Sequence, residues 1–196
     1  MPRTAEINRK TGETDIIVKL DIDGKGISKI DTGIGFFDHM LTALSKHSGM
    51  DIEITCKGDL YVDGHHSVED VGIALGQAFA QAIGDKVGIV RYGSARCPLD
   101  EALGDCVVDI SGRPFIVFDC EFTGDKCGEM ETQLFEEFMR SFAFNAGITM
   151  HISCVYGLND HHKAEAMFKS MARAIRQAAS YDERFKDQVI STKGVL

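Results

Sequence analysis

The sequence predicts an α/β protein, more specifically an α+β sandwich: a tandem duplication of one β-β-α-β-α unit, sheets packed against helices, with pseudo-twofold symmetry. Three observations carry this reading. First, "GHHSVEDVGIALGQAFAQAI" (64–83) is matched by "DHHKAEAMFKSMARAIRQAA" (160–179), each with a histidine doublet and a glutamate three residues after the second histidine. Second, earlier matches follow in the same order: "SGMDIEITC" with "AGITMHISC", "FFDHML" with "LFEEFM", and "LDIDGKG" with "VDISGRP". Third, the apolar pattern between them alternates between a period of two and a period near 3.6. Two copies make a duplicated domain and not a solenoid. The repeats run over about 13–92 and about 100–182, as one domain across 1–196 with a C-terminal tail.

Each element follows from its local pattern. "TDIIVKLDID" (14–23) alternates as a strand and ends at a glycine turn, and "GISKIDTG" (26–33) is a weaker second strand. "GFFDHMLTALSKHSG" (35–49) places Phe37, Met40, Leu41 and Leu44 on one helical stripe that Gly49 stops. "MDIEITC" (50–56) alternates again, a turn-rich segment has room for an extra strand, and the doublet opens a long amphipathic helix through Ala82. The second half repeats the order.

Composition bounds the function. With 44% hydrophobic and 26% charged residues, the chain is an ordinary globular protein able to bury a core. A net charge of −9 argues against nucleic acid or an anionic membrane as a partner, though not against a small anion held by a few local cations. No stretch approaches a membrane span, and "MPRTAEINRKTGET" lacks the apolar core of a signal peptide. The six cysteines show no CxxC spacing, so reduced thiols in a cytoplasmic protein are expected.

The doublets carry the chemistry. On a helix, residues i and i+4 share a face, so His65 converges with Glu69 and His161 with Glu165. His66 and His162 are rotated by ~100° and look elsewhere. In a pseudo-symmetric pair, the leftover histidine of each half can complete the site begun by the other, giving two metal ions. Imidazole with carboxylate suits Mn, Fe, Zn, Co or Ni, and the lack of cysteine leans away from a structural zinc site. His39, on the polar side of its short helix, joins as a candidate ligand. His47 and His151 have no acidic partner at ligand spacing and are read as surface or half-buried residues.

"FFDHML", "DGHHSVED", "PLDEAL", "DISGRP", "NDHHKAEAMFKSMARAIRQA" and "STKGVL" together resemble imidazoleglycerol-phosphate dehydratase of histidine biosynthesis, from about residue 3 to the end. The resemblance implies dehydration of imidazole-glycerol phosphate to imidazole-acetol phosphate at a pair of manganese ions. It also implies a duplicated fold and a homo-oligomer of twenty-four chains whose subunits meet at the active sites. Its metal ligands fall on His39, His65, His66, Glu69, His161, His162 and Glu165. Where many members carry a histidine in the repeat partner of His39, this chain has Glu137, itself a candidate ligand. Arg91 and Arg113 match phosphate-contacting arginines, which suit bidentate recognition. Lys169 and Glu13 match substrate positions, His39 lies at the substrate as well as the metal, and Ser191, Thr192 and Lys193 offer donors in a tail expected to order on phosphate.

The reaction needs help, because the proton to be lost lies on a carbon with no neighbouring carbonyl. A metal-held imidazolate ring can push electrons outward and expel the hydroxyl, which acidifies that C–H bond. Glu13, Glu69, Asp100 or Glu165 could then act as general base, with Asp100 preferred because it is not a ligand candidate. Two other classes compete: a dinuclear phosphohydrolase, for which the Asp-rich ligands are lacking, and a metal-storage or sensing protein. The latter would leave Arg91, Arg113 and the tail without a task.

Overall fold

The computed structural model describes residues 2–196. In the first half, β1 (Thr4–Lys10), β2 (Thr14–Asp21), β3 (Ser28–Asp31) and β4 (Asp51–Gly58) form one sheet in the order β1-β2-β4-β3. In the second, β5 (Tyr92–Leu99), β6 (Ala102–Asp109), β7 (Phe115–Asp119) and β10 (Thr149–Tyr156) form another in the order β5-β6-β10-β7. Each sheet has a parallel edge pair, β3 with β4 and β7 with β10, beside antiparallel neighbours. The duplication is therefore visible in topology. A small hairpin, β8 (Lys126–Cys127) with β9 (Met130–Glu131), belongs to the second half alone.

The helices are α1 (Gly35–Ser48), α2 (His65–Ile83), α3 (Leu134–Ala146) and α4 (Asp160–Ala179). They lie between the sheets. α1 and α2 cover the first sheet, α3 and α4 the second, and the layers meet as α1 against α4 and α2 against α3. Alternation explains the burial: Ile16, Val18 and Leu20 of β2 point inward, while Ile17 and Lys19 face out. Between the helices, Phe37, Phe138 and Phe168 form an aromatic column, with ring centroids 5.2 and 5.5 Å apart. Gly76 permits the close approach of α2 to α3, since a Cβ there would lie 2.7 Å from the Phe142 carbonyl oxygen.

One expectation needs correction. Each half carries an additional strand, but it precedes the unit as β1 or β5 and does not lie in the turn-rich segment. β1 escapes the periodicity because it is an edge strand, with Ala5 its only fully buried side chain. Among the described residues, no helix is long and apolar enough to cross a membrane. All six cysteines are free.

Candidate functional site

The start of α4 explains why both histidines fall in its first turn. Asn159 precedes the helix in an extended conformation, and its Oδ1 accepts from the amides of His161 (2.9 Å) and His162 (3.3 Å). These are amides that a helix terminus leaves unpaired. α2 begins similarly, with Asp63 Oδ1 accepting from the His65 amide at 2.8 Å.

Glu165 then gathers a cluster. Its Oε2 lies 3.2 Å from His161 Nε2, one turn away, and 3.2 Å from His39 Nε2, contributed by α1 of the other half. Among the described residues these three form the one group of His, Cys, Asp or Glu ligand atoms lying within 4.8 Å of one another. Phe36 packs edge-on against both imidazoles, which fixes the ring planes. The other carboxylate oxygen meets Lys169 Nζ at 2.7 Å. Burial pushes the Glu165 carboxyl up, but Lys169, His39 and His161 outweigh it and hold it at about 2. Two ring nitrogens aimed at one anionic oxygen make a nitrogen–oxygen donor set that fits a divalent transition metal. On the pseudo-symmetric side, His65 Nε2 and Glu69 Oε2 stand 3.8 Å apart. Glu137 does not close this pair into a second group of that kind.

The leftover histidines do not complete the opposite site within the chain, contrary to expectation. His66 turns Nδ1 toward Asp59 (3.1 and 3.2 Å), with Nε2 3.7 Å from Glu13. His162 turns Nδ1 toward Glu101 (2.7 Å), with Nε2 3.9 Å from Asp100. Hydrogen bonds to Asp59 and Glu101 raise the pKa of His66 and His162 respectively, and accepting from His162 holds Glu101 at about 2. The residue that crosses between halves is His39, because α1 packs on α4. Glu13 rides on a tight turn anchored from below, where Thr14 Oγ1 donates to the buried Asp70, itself held by Arg9.

A cleft of about 740 Å³ brings together Arg91, Arg113, Ser191, Thr192 and Lys193. Arg113 projects there with its side chain 67% exposed and its Nη2 3.9 Å from Asp109. Arg91 is more committed than its motif suggests. It is buried, its Nε and Nη2 donate to Asp109 (2.7 and 3.1 Å), and its Nη1 donates to the Ile190 carbonyl (2.5 Å). It therefore anchors the tail as well as lining the cleft. At the tip of the tail, Val195 is 68% exposed. The cleft adjoins the far end of α4, where the Arg91 amide donates to the Ala178 carbonyl. His161 and Ala178 are seventeen residues apart on one helix, roughly 25 Å at ~1.5 Å per residue.

A sequence profile of imidazoleglycerol-phosphate dehydratase matches residues 32–175. The chain belongs to the imidazoleglycerol-phosphate dehydratase family. It is 59% identical over 194 residues to imidazoleglycerol-phosphate dehydratase of Gluconacetobacter diazotrophicus, covering 99% of this chain and 98% of that one. The Acetivibrio thermocellus protein of the same name is 55% identical over 196 residues, the whole of both chains. The crystal structure of imidazoleglycerol-phosphate dehydratase from Staphylococcus aureus is similar at a TM-score of 0.83 and 39% identity, covering 91% of this chain and 99% of that one.

For a dehydratase of this family, a hydro-lyase, the fold draws most of the sequence-derived candidates into three places, with His162 and Asp100 beside Glu101 a fourth. His39, His161, Glu165 and Lys169 meet at one. His65, Glu69, His66 and Glu13 line the start of α2. The arginines and tail hydroxyls share the cleft. Asp59, Glu101 and Asp109 orient these groups and went unread, because none stands at a recognisable spacing from the residue it holds; Phe36, at i,i+3 from His39 on α1, had a readable spacing.

Proposed function

We propose that the chain dehydrates imidazole-glycerol phosphate to imidazole-acetol phosphate, a step of L-histidine biosynthesis, using two manganese ions at each active site. The observation that carries the reading is the convergence of His39 Nε2 and His161 Nε2 on one Glu165 oxygen in a chain of this family. His39, His161 and Glu165 would hold one ion. His65 and Glu69, with Glu137 beside them, would begin the other, and the outward Nε2 atoms of His66 and His162 would complete the shells. Bound there, manganese supplies Lewis acidity toward the substrate's imidazole.

The protein groups do the rest. Arg113, Lys193 and the hydroxyls of Ser191 and Thr192 take the phosphate, with Arg91 holding the tail in place. Glu13 and Asp100 stand on opposite hairpin tips beside the two outward Nε2 atoms, where a carboxylate can accept the proton leaving carbon. Asp100 is our preferred base, being exposed and outside the ligand set. Net loss of water leaves an enol that becomes the ketone.

The roughly 25 Å along α4 between the imidazoles and the phosphate cleft is far longer than a phosphorylated glycerol side chain. One substrate therefore cannot touch both within one chain, which supports a site shared between subunits of a homo-oligomer, by family resemblance one of twenty-four chains. We place it in the cytoplasm on its six free thiols and its acidic net charge of −9. Turnover of imidazole-glycerol phosphate with and without added manganese, following the enolisable ketone, tests the reading. A metal-loaded protein without turnover would overturn it.

A further inference from the structure

Glu101 stands at the tip of the β5–β6 hairpin, and each of its oxygens has its own task. Oε1 accepts from the amides of Leu158 (3.1 Å) and Asn159 (2.8 Å), the residues that lead into α4. Oε2 lies 2.7 Å from Nδ1 of His162, sixty-one residues away in sequence. An ionised carboxylate accepts and cannot donate, so the proton in this contact belongs to Nδ1. The neutral ring is then committed to one tautomer, with an unprotonated Nε2. Among the described residues that Nε2 has no hydrogen-bond partner, since Asp100 at 3.9 Å is too far.

We infer that Glu101 is a positioning residue: it fixes His162 as the Nδ1–H tautomer and presents Nε2 to a metal ion. The inference rests on the metal-site reading proposed for this family member. General coordination chemistry supports it, because metal-binding imidazoles donate their second ring nitrogen to a carboxylate or carbonyl that sets tautomer and orientation. The other half of the molecule supplies independent support. His66 turns the same nitrogen to Asp59, which follows β4 and is not the repeat counterpart of Glu101. The two halves reach one orientation through unrelated residues, which points to the orientation itself as the requirement.

The discriminating variant is Glu101→Gln. Its amide oxygen can still accept from Leu158 and Asn159, while its NH2 group now faces Nδ1 and forces that atom to accept. Nε2 then carries the hydrogen and cannot ligate. Solid-state 15N NMR of metal-free, histidine-labelled protein at alkaline pH reads the tautomer, with the His162 signal assigned by its loss in His162→Asn. Wild type should show Nδ1–H and E101Q the reverse. Manganese titration followed by electron paramagnetic resonance should show binding weakened by about 10–100-fold in E101Q, with the thermal midpoint of the metal-free protein little changed. A purely structural role would lower that midpoint and leave manganese affinity alone.

An Nε2–H tautomer in wild type overturns the inference whether or not the variant folds. So does wild-type manganese affinity in folded E101Q, and that result spares the metal reading. Failure of wild-type protein to bind manganese sinks the metal reading, and this inference with it.

Discussion

Replacing Glu165 by glutamine removes one charge from the point where His39, His161 and Lys169 meet, and its effect on acid sensitivity follows from the structure. The side chain is 16% exposed. Burial alone would raise its pKa, but the contacts to Lys169 at 2.7 Å and to both imidazoles at 3.2 Å bring it from 4.5 to about 2. At ~1.4 kcal/mol per unit, that depression corresponds to roughly 3 kcal/mol. A carboxylate whose folded pKa is depressed stabilises the protein above its unfolded pKa, and the contribution fades as pH falls through the folded value. Metal-free wild type should therefore lose roughly 3 kcal/mol more than Glu165→Gln between about pH 5 and pH 2. Above pH 5 the variant should be the less stable by that amount, and the two should converge in acid. Guanidinium unfolding at a series of pH values and fixed protomer concentration measures this. Parallel stability curves for the two proteins would refute the account of Glu165 as the charge that balances this cluster.

Removing residues 191–196 should raise KM for the phosphorylated substrate while both metals stay bound, and Lys193→Ala should reproduce much of it, about 1–3 kcal/mol for one charged hydrogen bond. Unchanged kcat/KM would make the tail a frayed end. Elemental analysis at saturating manganese should find two ions per chain. His65→Ala and His161→Ala should each abolish turnover and, by light scattering, shrink the particle; a fully active monomer would exclude the shared site. Gly76→Ala places a Cβ 2.7 Å from the Phe142 carbonyl and 2.8 Å from Asn145 Cβ. It should therefore cost about 1–3 kcal/mol through overpacking, read from a urea midpoint.

Much of this was legible because local signals agreed with the fold. Gly49 caps α1 in the left-handed conformation at φ 80°, where the sequence stops the apolar stripe. α2 runs one residue past the reading, to Ile83. The His161–Glu165 pair follows from helical spacing alone. The orienting residues were not legible, because contacts between residues 61 apart, as for Glu101 and His162, leave no periodic trace. The same holds for Arg91. Its motif announces a cation, but only the fold reveals that Asp109 and Ile190 already take three hydrogen bonds from it, one each from Nε, Nη1 and Nη2.

The duplication explains why one cluster is closed and the other open. Because α1 packs on α4 and α3 on α2, each short helix serves the doublet of the opposite half. His39 reaches His161 and Glu165 in this way. α2 and α3 run side by side in the same direction, with Gly72 opposite Phe138 and Ser141 and Gly76 opposite Phe142 and Asn145. One turn earlier, the same register sets Val68 opposite Leu134 and Glu137. Glu137 therefore stands at the level of His65 and Glu69, where His39 stands in the other pair. An ionised carboxylate there can only accept, so it cannot hydrogen-bond Glu69 as the His39 ring does Glu165, and His65 and Glu69 remain a pair. On the metal reading proposed above, Glu137 would give the second site more carboxylate than the first, a difference that would favour a hard divalent ion such as manganese over softer competitors.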